Sequence, residues 1–594
     1  MKKILSCIFL LACSMVSGQD NQYQTLFERT GGIETPRYLQ TIEYFKNLAE
    51  GSSRISFTSF GKSAQGRDLP LVILDKDGLK SPGEIRKAGR LVLLIQACIH
   101  AGESEGKDAG MMLIRNLAMN NLYTHLLDHV SILFIPIFNV DGHERFGPFN
   151  RVNQNGPKEM GWRVAATNLN LNRDYLKADT PEMQAWLKMF NDWLPDFFID
   201  SHTTDGADYQ YVLTYLIEIY GNMEKDLTGW SDHIFIPLLE KHMSDKNMLV
   251  CPYVEFRNWT DLRSGLIIEP APPMFSQGYT ALRNRPGLLI ETHMLKPYRQ
   301  RVEATYECML AVLSILESEY ADLKTLIAEA DAAVSSHAFR QHPFPLLFRT
   351  LENDSVMVDF KGKAYETVKS DITGKYYNRY LDKPITYRIP LFKNNKPSVT
   401  ASLPEAYIIP AEWKSVIDRL ALHGVKMVRL KKDETLDVTT YKFRQPKWQS
   451  NPYEGRHPLL NFEMEEIREE RMFPAQSVLV LMDQPASKII ACCLEPRGNG
   501  SFLHWGFFDA IFEQREYAEG YVIEPIIAKM VAENPELKSE FSEKMTNDTS
   551  FAKNTFQITN WFYMKTPYFD QRMNIYPVGK IYDAGTVSRL LKDQ

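Results

Sequence analysis

Over the first half of the chain, short apolar runs alternate with stretches in which apolar positions recur every three or four residues. Leu69 to Leu74, Leu91 to Cys98, Ser131 to Phe138, Phe197 to Asp200 and Leu288 to Glu291 read as strands. Several are nearly continuous in apolar character, as expected of strands covered on both faces. Between them lie helices. The clearest opens at Thr180-Pro181-Glu182, with an N-cap residue, a proline at the first helical position and an acid in the first turn. Met183, Trp186, Leu187, Phe190, Trp193 and Leu194 keep helical spacing along it, and Pro195 ends it. A long amphipathic helix from about Gln300 to Val334 closes the unit. This alternation predicts an α/β domain with a mostly buried mixed sheet flanked by helices.

After about residue 340 the texture changes. Residues 343 to 400 are strand-like, with turn signals at Asp371-Ile372-Thr373-Gly374 and Asn394-Asn395-Lys396-Pro397. Ala406 to Ile409 followed by Trp413, Val416, Ile417, Leu420 and Gly424 reads as a strand and then a helix with a glycine stop. The expected organisation is a main α/β domain over 19–340, a β-rich accessory segment over 341–402 and a C-terminal α/β accessory region over 403–594. The full length of 594 residues is compatible with such an arrangement.

Composition narrows the class. With 44% hydrophobic and 24% charged residues the chain is an ordinary folded protein. Its 68 basic and 74 acidic residues give a net charge of −6, with no basic stripe, so no nucleic-acid partner is expected. Residues 1–18 look like a signal peptide: Lys2 and Lys3, a short apolar run from Ile4 to Val16, then Ser17-Gly18. Export to the periplasm or medium follows. Leu10-Leu11-Ala12-Cys13 offers a lipoprotein alternative, and no later segment could span a bilayer. Beyond the signal, Cys98, Cys251, Cys308, Cys492 and Cys493 are scattered, with no C-x-x-C, so neither a disulfide framework nor a cysteine metal site is indicated. Cys492-Cys493 reads as a strand pair with opposed thiols, and Trp505, Phe507 and Phe508 as core. Oligomeric state is left open.

The candidate chemistry lies at strand ends. Leu91 to Cys98 runs into His100-Ala101-Gly102-Glu103, where a nitrogen and a carboxylate three residues apart can face one divalent metal. A catalytic zinc takes three protein ligands and keeps an open position. His202, at the end of the run from Phe197, supplies a third donor from another strand end, where ligands of open α/β sheets bind. Leu288-Leu289-Ile290-Glu291 is a further apolar strand ending in a carboxylate, and an unpaired buried acid there is costly unless used. Asn172-Arg173 sets an amide beside a guanidinium, a group suited to gripping a carboxylate with two hydrogen bonds. Taken singly, each of these features has an ordinary structural explanation.

In this order, His100-x-x-Glu103, Asn172-Arg173, His202 and Glu291 resemble the zinc metallocarboxypeptidases related to carboxypeptidase A, over roughly residues 35 to 320. Gly61-Lys62-Ser63-Ala64-Gln65-Gly66-Arg67 and Asn139-Val140-Asp141-Gly142 are similar to landmarks of that family. The resemblance implies one Zn²⁺ held by His100, Glu103 and His202, and a metal-activated water attacking the C-terminal peptide bond. It implies Glu291 as general base, and Asn172 and Arg173 gripping the free C-terminal carboxylate of a peptide substrate. It also implies an oxyanion-stabilising arginine, for which Arg151 is the first choice and Arg163 the second, and a substrate-side tyrosine, for which Tyr279 is the candidate. Gly102 departs from the family pattern, in which animal digestive members carry an arginine, so one subsite is expected to differ. His293 is expected to be structural or to support Glu291.

Other readings stay open at this point. Gly102-Glu103-Ser104-Glu105-Gly106 satisfies the G-x-S-x-G pattern of serine hydrolases, with Asp200 or Asp205 and His293 as partners. Within the same fold, the substrate could be a cell-wall stem peptide, or the protein could be a non-catalytic homologue that binds peptide or glycan.

Overall fold

The computed structural model describes residues 23–258 and 261–593. The signal-like segment lies outside them. Among the described residues, eight strands form the first sheet: β1 (Ile55–Lys62), β2 (Asp68–Leu74), β3 (Leu91–Gln96), β4 (Val130–Ile135), β5 (Phe197–Thr204), β6 (Leu213–Ile217), β7 (Val250–Pro252) and β8 (Gly287–His293). Their spatial order is β1-β2-β4-β3-β5-β8-β6-β7. The four central strands β4, β3, β5 and β8 run parallel. β1 and β2 pair antiparallel with their neighbours, and β6 pairs antiparallel with β8 and parallel with β7, so the sheet is mixed.

The alternating side chains of the central strands feed two separate cores. Leu93, Ile95, Ile132, Phe134, Phe197 and Ile199 face one, under helices Glu105–Ala118 and Tyr298–Ser318. Val92, Leu94, Leu133, Ile135 and Phe198 face the other, with Met183, Trp186, Leu187 and Phe190 of helix Pro181–Trp193. Burial on both faces is why the sequence of β3 and β4 is apolar without alternation. Thr180 caps helix Pro181–Trp193 by accepting from Met183 N–H, and Leu194 leaves it at φ 42° ahead of Pro195.

Three local expectations change. The strand beginning at Phe197 continues to Thr204, so His202 lies within it. The long helix divides at Glu319 (φ −104°, ψ 10°) into Tyr298–Ser318 and Tyr320–Ser335, a break that apolar periodicity carries across unmarked. Cys492 and Cys493 sit in helix Ser487–Leu494, fully buried among apolar neighbours, and not in a strand. A short apolar run reads alike as a buried strand or a buried helix.

Beyond the first sheet, Val356–Lys369 and Tyr376–Phe392 form a long hairpin whose end pairs in parallel with Leu266–Ile267. Phe344–Thr350 pairs with Asn395–Ala401. Six strands then make a C-terminal sheet in the order Met427–Arg429, Val478–Leu481, Ala406–Ile409, Gly579–Ile581, Glu434–Trp448, Leu459–Phe473. Its inner face joins the core under helix Pro181–Trp193, with Tyr407, Val480, Ile490 and Phe508 beside Trp186 and Phe190. Trp505 and Phe508 are buried as expected. No helix among the described residues is long and apolar enough to cross a membrane.

Candidate active site

From β3 the chain passes to its neighbour β4 on one side and then crosses to β5 on the other, so the carboxyl end of β3 is the point where the sheet order reverses and a crevice opens. The loop after β3 is tied down by its backbone. Phe138 N–H and Asn139 N–H donate to Ala97 and Cys98 carbonyls, and Glu103 N–H donates to His100 O at 2.9 Å. This turn delivers His100 and Glu103 side by side. His202 comes from β5 and Glu291 from β8, and the two are direct partners across the parallel ladder, which places them on one face.

His100, Glu103 and His202 converge and are all buried. His100 Nδ1 lies 3.2 Å from His202 Nδ1 and 3.1 Å from Glu103 Oε1, while His202 Nδ1 lies 3.2 Å from Glu103 Oε2. Tetrahedral zinc with bonds of about 2.0–2.1 Å separates its donors by about 3.3 Å, so this triangle fits that ion. The far ring nitrogens are held as well. His100 Nε2 is hydrogen-bonded at 3.1 Å to Asn170 Oδ1, and His202 Nε2 lies 2.9 Å from Asp200 Oδ2 in a charge contact that lacks hydrogen-bond alignment. Asp200 is in turn held by the Gln96 amide, which donates at 3.0 Å. Such partners orient ligating histidines and set their basicity.

Electrostatics follow from burial and charge. Burial lowers His100 to about 4, against the pull of Glu103. Burial alone would raise Glu103, but His100 and Arg151 hold it well below the carboxylate range. His202 goes the other way, because the Asp200 carboxylate outweighs its burial. Burial, opposed by His202 and reinforced by Glu103 and Asp200, pushes Glu291 up to about 8. Glu291 Oε2 has no hydrogen-bond partner, so its carboxylate is uncommitted.

A cleft of about 700 Å³ opens over this group. Asn172, Arg173, Arg151 and Arg163 all line it together with His100, Glu103, His202 and Glu291. Arg151 donates to Glu103 at 2.7 Å and is nearly enclosed. Its side chain crosses Gly102 so closely that a Cβ there would lie 2.9 Å from Arg151 Cγ and 2.8 Å from Gly161 O. A glycine at 102 is therefore a packing requirement of this loop. Arg163 remains 43% exposed with its nearest acid at 3.5 Å, so its guanidinium faces the cleft. Arg173 stacks on Phe275 at 4.3 Å and donates to the Asn172 carbonyl at 2.7 Å.

The structure does not bring Tyr279 to this cleft. It is fully buried against Trp186 and Phe190, and its hydroxyl meets His423 Nδ1 at 3.0 Å. The phenol that does line the cleft is Tyr253, just after the short strand β7, where no sequence signal marked it. His293 turns away to Ala207 O and Leu295 N–H. Ser104 is wholly enclosed with an unpaired hydroxyl, so no nucleophile is presented there.

A three-donor group able to hold a metal thus lies beside an acid with an unpaired oxygen, at the reversal point of a mixed α/β sheet. Residues 41–205 match the family model described as zinc carboxypeptidase. "Carboxypeptidase 2" of Trichophyton rubrum is 24% identical over 499 residues, covering 80% of this chain and 85% of that protein. Its counterpart from Trichophyton equinum is 25% identical over 506 residues, with the same coverage. Among solved structures, carboxypeptidase A from Helicoverpa armigera overlays with a TM-score of 0.36 at 14% identity, covering 48% of this chain and 74% of that one. A metallo-carboxypeptidase from Burkholderia cenocepacia gives 0.35 at 17% identity, with 46% and 68% coverage. The chain is thus similar to zinc carboxypeptidases over residues 41–205, and to proteins named as carboxypeptidases over most of its length.

Proposed function

We propose that this protein is an exported carboxypeptidase that uses one zinc ion to release the C-terminal residue of peptides bearing a free carboxylate. The observation that carries this reading is the placement of Asn172 and Arg173 in the same cleft as His100, Glu103, His202 and Glu291. An amide and a guanidinium at a fixed distance from the reacting centre select the last peptide bond, because they hold the chain end and not its interior. His100, Glu103 and His202 would hold the metal. When bound, zinc supplies Lewis acidity and lowers the pKa of a water toward about 7.

Glu291, with an unpaired oxygen and a raised pKa, is suited to take a proton from the attacking water and return it to the leaving amine. Of the two arginines considered for the oxyanion, Arg163 is the better placed. Its guanidinium faces the cleft, whereas that of Arg151 is committed to Glu103. Tyr253 is the phenol that could meet the substrate, in place of Tyr279. Lys2, Lys3 and the apolar run after them support export. The division near residue 340, into a catalytic domain and the accessory regions 341–402 and 403–594, belongs to the same proposal.

The test is mass spectrometry of a peptide pool with free and amidated C-termini, incubated with the zinc-loaded protein. Stepwise loss from free ends alone is expected, abolished by a chelator and lost in Glu291→Gln. Cleavage at internal bonds of amidated peptides would overturn the roles of Asn172 and Arg173. Inertness toward the pool with turnover of cell-wall stem peptides would change the substrate class, and binding without any turnover would leave a peptide-binding homologue.

A further inference from the structure

The connection between the C-terminal strands Glu434–Trp448 and Leu459–Phe473 reaches back onto the segment that carries Asn172 and Arg173. Near its tip, Tyr453 N–H donates to Arg456 O at 2.8 Å and Arg456 N–H to Tyr453 O at 3.1 Å. Between them Glu454 and Gly455 have φ of 49° and 75°, the left-handed pair that a tight two-residue hairpin turn requires. Glycine adopts that conformation freely and glutamate does not. Glu454 is held there by a contact outside the turn: its carboxylate accepts Asn170 N–H at 2.9 Å. A Cβ on Gly455 would lie 3.1 Å from Leu169 Cδ2, so the turn is seated closely on the same segment.

The flanking residues finish the attachment. Arg456 makes two hydrogen bonds to Asp179, both 2.7 Å, and one to Trp505 O at 2.8 Å. Tyr453 stacks on Trp505 at 6.0 Å with 12° between the rings. Its hydroxyl oxygen accepts the Nε–H of Arg173 at 3.3 Å. A guanidinium has five N–H donors, of which Tyr453 takes one and the Asn172 carbonyl another, leaving three for an incoming carboxylate. Phe275 stacks on the guanidinium, and Tyr453 restrains it at its Nε edge.

We propose that Tyr453, from the C-terminal region, is a positioning residue that sets the orientation of Arg173 for the substrate carboxylate, with Glu454 bracing Asn170 beneath it. The proposal rests on the reading of Arg173 as the carboxylate grip. It makes the C-terminal sheet part of the substrate site, since the turn that orients the grip is built on two of its strands.

The test is steady-state kinetics of the full-length mature protein on a free-ended peptide, with inhibition by an N-acylated amino acid as a second readout of carboxylate binding. Tyr453→Phe keeps the ring on Trp505 and removes only the hydroxyl. It is expected to raise KM and the inhibition constant together by about fivefold, with kcat and zinc content unchanged. Glu454→Gly relieves the turn while removing the brace, and is expected to shift the same two constants in the same direction. Unchanged KM and inhibition constant in both variants would overturn the proposal, as would a fall in kcat with KM unaltered. Failure of the wild-type protein to cleave free-ended peptides would instead overturn the underlying function, so the two failures are distinguishable.

Discussion

His202 is positioned by a chain of side chains from three elements: Asp200 two residues earlier on the same strand, Gln96 at the end of β3, and Tyr175, whose hydroxyl meets the Gln96 amide at 2.9 Å. The Asp200 charge is what keeps the ring basic in spite of burial. Asp200→Asn retains the shape but removes the charge, and is expected to weaken zinc affinity by about 10- to 100-fold without unfolding the protein, as outer partners of metal-binding histidines do. Competition with a chromophoric chelator measures this, and unchanged affinity would show that Asp200 is only structural. At this scale His100, Glu103, His202 and Glu291 were legible because each follows an apolar run that had to be a buried strand. Tyr279 was misleading. The resemblance calls for a tyrosine ahead of Glu291, but only packing decides which way a residue on the short helix Ser276–Leu282 points, and it points into the core.

The elements that carry the site are held at short range by small residues. Helix Glu105–Ala118 begins two residues after Glu103 and lies against β5, where a Cβ on Gly106 would come within 2.4 Å of Ser201 Cβ. Ser201 is the immediate neighbour of His202, so the spacing of helix and strand sets the spacing of the two ligand-bearing segments. Gly106→Ala is expected to destabilise the fold by about 1–3 kcal/mol through overpacking, and to lower zinc affinity as the segments separate. Urea unfolding with a parallel zinc titration checks both effects. A stable variant with unaltered zinc binding would mean that the contact gives way locally. Element types were readable from periodicity, while their ends were less so. The extension of β5 to Thr204 and the break at Glu319 depend on sheet pairing and on helix packing against different neighbours.

Across the whole molecule, the C-terminal sheet is fastened to the region around the first sheet through buried polar contacts as well as shared core. His423, just after helix Lys414–Leu422, meets Leu176 O through Nε2 at 2.8 Å and the Tyr279 hydroxyl through Nδ1 at 3.0 Å. Burial lowers it to about 4 from an ordinary 6.5, so the folded protein keeps this ring neutral. The unfolded chain takes up that proton first. The stability contributed by His423 is thus full above pH 6.5 and is lost as pH falls toward 4. Replacing it by Gln is expected to reduce the pH slope of stability between those limits by up to about 1.4 kcal/mol per pH unit, since one proton uptake is removed. Urea unfolding of both proteins at several pH values measures the difference, and parallel slopes would show that His423 titrates normally. Local terms were readable along the chain: which runs are buried strands, where a helix is capped and stopped, and which strand ends carry nitrogen and carboxylate donors. These depend on neighbours a few residues away. The tertiary structure alone decided that Asp200 backs His202, that Tyr253 and not Tyr279 lines the cleft, and that Tyr453 meets Arg173 across 280 residues of chain. Such contacts arise from how whole faces pack together, and no spacing along the chain records them.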